Sequence, residues 1–152
     1  MRPISNEDVG TEGHPAVAVG SVIVHQKKVL LVKHVPQKTG FWAGKWICPG
    51  GRLQFGETLR TAAEREVWEE TGLEIEIQGE PIVFERIVKG AAEDPKLHVI
   101  YIDFVSSPRG PASPHPSSDV GEARWFRFEE IPWDALHEDT AILLEQSLGL
   151  IP

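Results

Sequence analysis

A single cysteine, Cys48, stands among 152 residues, which excludes an internal disulfide and any cysteine-based zinc cluster. No apolar run approaches the ~18 residues that span a bilayer. The polar, acidic stretch Met1–Gly13 lacks the basic start and apolar core of a secretion signal. Positive charge is scarce: 15 Lys and Arg stand against 23 Asp and Glu, a formal charge of −8. Readers of duplex DNA and binders of anionic membranes depend on basic clusters, so neither a nucleic-acid polymer nor a membrane is expected as a partner. An acidic chain still accepts a phosphate-bearing substrate when divalent cations stand between carboxylate and phosphate. The six histidines, His14, His25, His34, His98, His115 and His137, show no ligand spacing, and a zinc site is not expected. With 41% hydrophobic and 25% charged residues, the expectation is one soluble, cytoplasmic globular domain with a real core.

Local patterns give the organisation. Residues 1–14 read as an N-terminal extension and 15–152 as a single domain. Ala16–His25 and Val29–Lys33 are β-prone runs separated by Gln26-Lys27-Lys28, the pattern of a hairpin. From Thr58 to Thr71 there is neither proline nor glycine, and Leu59, Ala62, Ala63 and Val67 recur at helical spacing. Thr58 is placed to cap that helix and Gly72 to end it. Glu74–Ile77, Ile82–Lys89, Leu97–Val105 and Ala123–Phe128 read as strands, and Pro132 as the opening of a last helix through about Ser147. Ser106–Gly121 is a Pro/Ser-rich loop, either a cover for a binding site or a solvated excursion. Strands with one helix inserted early and one late predict a mixed-sheet α/β sandwich.

The chemistry concentrates in Gly51–Leu73, GRLQFGETLRTAAEREVWEETGL. On a helix Glu66, Glu69 and Glu70 lie at i, i+3 and i+4, so three like charges share one flank and repel. Arg65 lies beside them, placed to orient one carboxylate. A solvated acidic face is one reading. The other is a site for a hard divalent ion, Mg²⁺ or Mn²⁺, which prefers oxygen ligands and takes carboxylates together with phosphate oxygens. Two features favour the second. Pro49-Gly50-Gly51 permits a tight turn and close approach of backbone N–H groups to an anion, and Glu57 adds a carboxylate near the helix N-terminus, where negative charge is favoured.

The same segment resembles the Nudix box, G-x5-E-x7-R-E-U-x-E-E-x-G-U, where U is a bulky aliphatic residue. Gly51, Glu57, Arg65, Glu66, Val67, Glu69, Glu70, Gly72 and Leu73 fill every specified position. The resemblance implies a Nudix-type α/β/α sandwich with a mixed β-sheet between helices. It also implies a Mg²⁺-dependent hydrolase, with Mn²⁺ as substitute, that cleaves a nucleoside diphosphate linked to a moiety X. By position Glu66 and Glu70 would be the main metal ligands, Glu69 a third ligand or a base acting through water, and Glu57 and Arg65 the residues that orient them. The base stays open between Glu66, Glu69 and a residue outside the box. A fourth acidic ligand often follows the box in this family. Glu122, three residues before Trp125, is the candidate, and Asp119 the alternative.

Gly50, Gly51, Arg52, Lys33 and His34 are the candidate substrate contacts, Lys45 a further basic candidate, and a surface or capping role is the competing reading of His34 and of His98. Phe41, Trp42 and Trp46 are placed either to stack on a base or to fill the core, and Cys48 to pack inertly. The loop form Gly51–Glu57 and the Trp125…Ile131-Pro132-Trp133 pattern resemble MutT-type enzymes. These split a nucleoside triphosphate, NTP or dNTP, oxidised ones included, into NMP and pyrophosphate. ADP-ribose or a nucleotide sugar is the alternative, although the ADP-ribose proline marker is absent where Lys89 stands. A non-catalytic regulatory Nudix module is a third reading, disfavoured by the complete set of glutamates. Many relatives are homodimers, so a second copy is a candidate partner.

Overall fold

The computed structural model describes residues 13–35, 44–117 and 120–152. Phe41, Trp42, Asp119 and most of the expected N-terminal extension lie outside the described residues. The elements in chain order are β1 (Ala16–His25), β2 (Lys28–His34), β3 (Trp46–Ile47), β4 (Gly50–Arg52), α1 (Leu59–Thr71), β5 (Ile75–Lys89), β6 (Pro95–Pro108), β7 (Val120–Arg127) and α2 (Glu138–Leu148).

β1 is the organising strand. It runs parallel to β6 from Ala16↔Val99 to Ile23↔Ser106, and β5 extends the sheet antiparallel beyond β6. On its other edge β1 pairs with β2 only at Val24↔Val29 and His25↔Lys28. The two-residue turn between them is Gln26-Lys27, both at positive φ (51° and 60°), the twist-matching geometry of a tight hairpin. Beyond those pairs the strands part, and residues 46–52 fill the fork. β3 pairs with β2 at Val32↔Ile47, and β4 pairs with β1 at Gly20↔Gly50. β7 closes the far edge of β2.

The helices cover opposite faces. Ala62, Ala63 and Val67 of α1 pack on Val19, Ile23, Leu30 and Phe104. Leu143 and Leu144 of α2 pack on Val22, Val29, Leu31 and Phe126. This is the expected α/β/α sandwich with a mixed sheet. The caps fall where the sequence put them: Thr58 Oγ1 accepts from the Thr61 N–H at 3.1 Å, and Gly72 ends α1 at φ 74°.

Three boundaries differ from expectation. The expected strands Glu74–Ile77 and Ile82–Lys89 merge, from Ile75 on, into the single strand β5, because Gly79 (φ 73°) and Pro81 produce a register shift between Gln78 and Ile82 rather than a break. The last helix begins at Glu138, not Pro132. His137 caps it, accepting the Asp139 N–H on Nδ1 at 3.1 Å, and the residues before it form short 3₁₀ turns at Phe128–Glu130 and Trp133–Ala135. The Pro/Ser-rich loop is shorter than 106–121, since β6 continues through Pro108 and β7 starts at Val120. Its backbone is stitched to the end of α1: the His115 N–H donates to the Thr71 carbonyl at 2.6 Å and the Ser117 N–H to the Glu70 carbonyl at 3.3 Å. These bonds satisfy carbonyls that a helix terminus leaves without intrahelical partners.

Candidate active site

The fork and α1 meet at the glycines. The Gly50 N–H donates to Glu70 Oε1 at 2.9 Å. At Gly51 a Cβ would stand 2.7 Å from Glu66 Oε1, so only a residue without a side chain lets the strand lie against that carboxylate. Glu66 and Glu70 are 1% and 0% exposed, both on the buried side of α1 among its alanines. Buried carboxylates are costly unless paired, and the pairing is extensive. Arg65 donates from Nε and Nη2 to Glu57 at 2.9 and 2.6 Å, and from Nη1 to Glu66 Oε1 at 2.7 Å and Glu69 Oε2 at 3.3 Å. It therefore ties three carboxylates where the sequence suggested one. Glu57 turns back to accept the Gln54 N–H at 2.8 Å, fixing the loop that leads into α1.

His34, at the end of β2, is 5% exposed, and its Nε2 lies 3.1 Å from Glu70 Oε2. Its surroundings are the interior of the site, not the surface suggested by the surface or capping reading. Lys33 faces the other way: its Nζ lies 5.7 Å above the Trp46 ring. Glu122 is the cross-strand partner of Lys33, and directly opposed residues share a sheet face. The Glu122 carboxylate is taken by Arg124 at 2.9 Å, so the structure does not bring it to Glu66, Glu69 and Glu70. Arg52 lends its carbonyl to Arg65 Nη2 at 3.2 Å, while its side chain lies on the exposed side of β4. His98 is an outer residue paired with Glu85, and Trp46 and Cys48 belong to the core.

Burial, then the charge of Glu70, pushes the Glu66 carboxyl up to about 8. Burial also raises Glu70, opposed by His34 and the Gly50 N–H. Glu57 moves the other way, held below the usual carboxylate range by Arg65. Among the described residues no three His, Cys, Asp or Glu side chains converge tightly enough to hold an ion as they stand. The donor set nonetheless fits a hard dication. Glu66 Oε2 is a buried carboxylate oxygen without a hydrogen bond, and buried Glu70 Oε2 has the His34 ring beside it; carboxylate oxygen is the donor that Mg²⁺ and Mn²⁺ take.

Two buried acids escaped the sequence reading. Asp139 of α2 accepts from Arg86 Nε at 2.9 Å and from the Tyr101 hydroxyl at 2.5 Å, clamping the helix to β5 and β6. Asp103 is 6% exposed, and burial pushes its carboxyl up to about 7. A lone acid inside the apolar run Val99–Val105 was the available signal for the second.

The chain and its fold have clear counterparts. The NUDIX domain model matches residues 14–146, and the chain belongs to that family. A curated relative, "ADP-ribose pyrophosphatase" of Methanocaldococcus jannaschii, is 34% identical over 78% of this chain and 66% of its own length. "Oxidized purine nucleoside triphosphate hydrolase" of Mus musculus is 32% identical over 78% of this chain and 70% of its own. The chain thus spans about two thirds of the length of these relatives. Among solved structures, a MutT NUDIX hydrolase from Burkholderia pseudomallei superposes with a TM-score of 0.70 at 26% identity, over 87% of this chain and 97% of that one. By family and relatives the chain is a pyrophosphohydrolase. No helix among the described residues is long and apolar enough to cross a membrane.

Proposed function

We propose that this chain hydrolyses a nucleoside triphosphate, NTP or dNTP including oxidised forms, to NMP and pyrophosphate at the Glu66–Glu69–Glu70 flank of α1. The observation that carries the site is the pair of buried carboxylates, Glu66 and Glu70, packed against Gly51 and Gly50. Glu66, Glu69 and Glu70 would hold Mg²⁺, with Mn²⁺ as substitute. When bound, the ion neutralises phosphate charge and lowers the pKa of a bound water. Arg65 and Glu57 fix the carboxylates, and His34 orients Glu70. Glu69, half-buried and at the edge of the cluster, is placed to take the proton of an attacking water, an effect worth about 10²–10⁴-fold. Gly50 and Gly51, in β4, let that strand lie directly against the two carboxylates.

The triphosphate reading is supported by the loop form, the Trp125…Ile131-Pro132-Trp133 pattern and the similarity to the mouse hydrolase. A second reading, ADP-ribose, is favoured by the archaeal relative. A panel of NTPs, dNTPs, oxidised dNTPs, ADP-ribose and nucleotide sugars with Mg²⁺, ranked by kcat/KM, separates them. A tenfold lead for ADP-ribose overturns the triphosphate reading. Glu70→Gln is expected to fold and to lose metal-dependent phosphate release. Full activity in that variant removes the α1 flank from the mechanism.

A further inference from the structure

Asp103 stands at one end of a row that crosses three strands. It is the register partner of Gly20 in β1, and Gly20 is the partner of Gly50 in β4, whose N–H donates to Glu70. The centre of the row has no side chain. A Cβ at Gly20 would lie 2.8 Å from Asp103 Oδ1 and closer still to the Pro49 carbonyl oxygen. Both oxygens lie within 2.8 Å of the point that a Cβ at Gly20 would take. Where two acceptor oxygens face one buried spot, a proton on one of them turns it into a donor toward the other. The Pro49 carbonyl takes one bond, from the Ser21 N–H at 3.1 Å, and has a second lone pair free. Among the described residues no hydrogen bond reaches the Asp103 carboxyl, and its pKa shift has burial as its sole cause.

We propose that Asp103 is a positioning residue of the active site, its carboxyl O–H donating to the Pro49 carbonyl and so holding Pro49 and the start of β4 against Glu66 and Glu70. The neighbours are consistent with a proton held there. β5 places Ile82 opposite Asp103, the β3–β4 link brings the buried Cys48 thiol, and Tyr101, two residues away on β6, donates to Asp139. Arg86, on the same face of β5, is spent on Asp139 and Glu138. Lys33 and Arg124 lie over the Trp46 ring, and among the described residues no cation contributes to the Asp103 shift.

This inference rests on the α1 flank being the metal-binding site, and the test keeps the two apart. Asp103→Asn keeps a donor in place, and Asp103→Leu keeps the volume without one. The expected result is Asn within about threefold of the parent, and Leu at least tenfold lower in kcat with a raised Mg²⁺ requirement and little change in substrate KM. Because Asp103 has a raised pKa, ionising it works against folding as pH rises from the unfolded value toward about 7. The Asn variant is therefore expected to gain Tm over the parent at pH 8 and to lose that gain by pH 4. Leu as active as the parent, or Asn and Leu impaired alike with no pH-dependent difference in Tm, overturns the proposal. Retained activity in Glu70→Gln would instead overturn the site reading, whatever the Asp103 variants do.

Discussion

The Glu66 carboxylate occupies the space in which a side chain at Gly51 would stand, with Oε1 2.7 Å from the position of its Cβ. Backbone and acid are thereby locked in one arrangement. Gly51→Ala is expected to displace Glu66 rather than unfold the domain, since overpacking of this kind costs about 1–3 kcal/mol. The expected outcome is kcat lower by about 10–100-fold, as when a supporting shell around a metal ligand is disturbed. Circular dichroism with steady-state kinetics checks it. A fully active, equally stable Ala variant would mean that the close approach is irrelevant.

Arg65 serves Glu57 through Nε and Nη2 while Nη1 reaches Glu66 and Glu69. A lysine cannot reproduce that fork. Arg65→Lys is expected to keep the charge but lose at least about tenfold in kcat/KM, with a lower Tm. Unchanged kinetics in the Lys variant would show that charge alone suffices.

Glu57 titrates below its ordinary 4.5 because Arg65 hydrogen-bonds its charged form. A depressed pKa contributes stability that is complete above the unfolded value and lost as pH falls through the folded one. Glu57→Gln should lower Tm at pH 7, and the difference from the parent should close as pH drops below 4.5. Thermal melts from pH 7 to pH 3 read this directly, and a pH-independent difference would contradict it.

Asp139 ties α2 to the sheet through Arg86 and Tyr101. Tyr101→Phe is expected to cost about 1–2 kcal/mol, the loss of one hydrogen bond to a charged group. Asp139→Ala should cost more, about 3 kcal/mol, because Arg86 is left without its buried partner. Urea titration distinguishes the two, and equal losses would show that the Tyr101 bond carries most of the clamp.

Local signals were enough for much of this molecule. Thr58 and Gly72 bracket α1 because capping chemistry is encoded in the residues at the ends themselves. The three glutamates were visible because helical spacing depends on sequence separation alone. What sequence does not carry is the face a residue turns to its neighbours. Glu122 was read from its distance to Trp125, but pairing with β2 sets it beside Lys33 and away from Glu70. His34 was named as a substrate contact, but its pairing was hidden for the converse reason: Glu70 lies 36 positions further on, brought near by the packing of α1 on the sheet. The merging of β5 across Gly79 and Pro81 depends on β6 tolerating a shifted register, which neither segment announces alone.

The Gln26-Lys27 turn closes β1 and β2 well away in the strands from the fork that holds Gly50 and Gly51. Both residues adopt a left-handed conformation that side chains resist by about 1 kcal/mol each. An Asn-Gly pair, suited to that geometry, would relieve the strain at the opposite end of the strands from the chemistry. The hairpin tip is thus where an engineer can raise heat tolerance while leaving turnover alone.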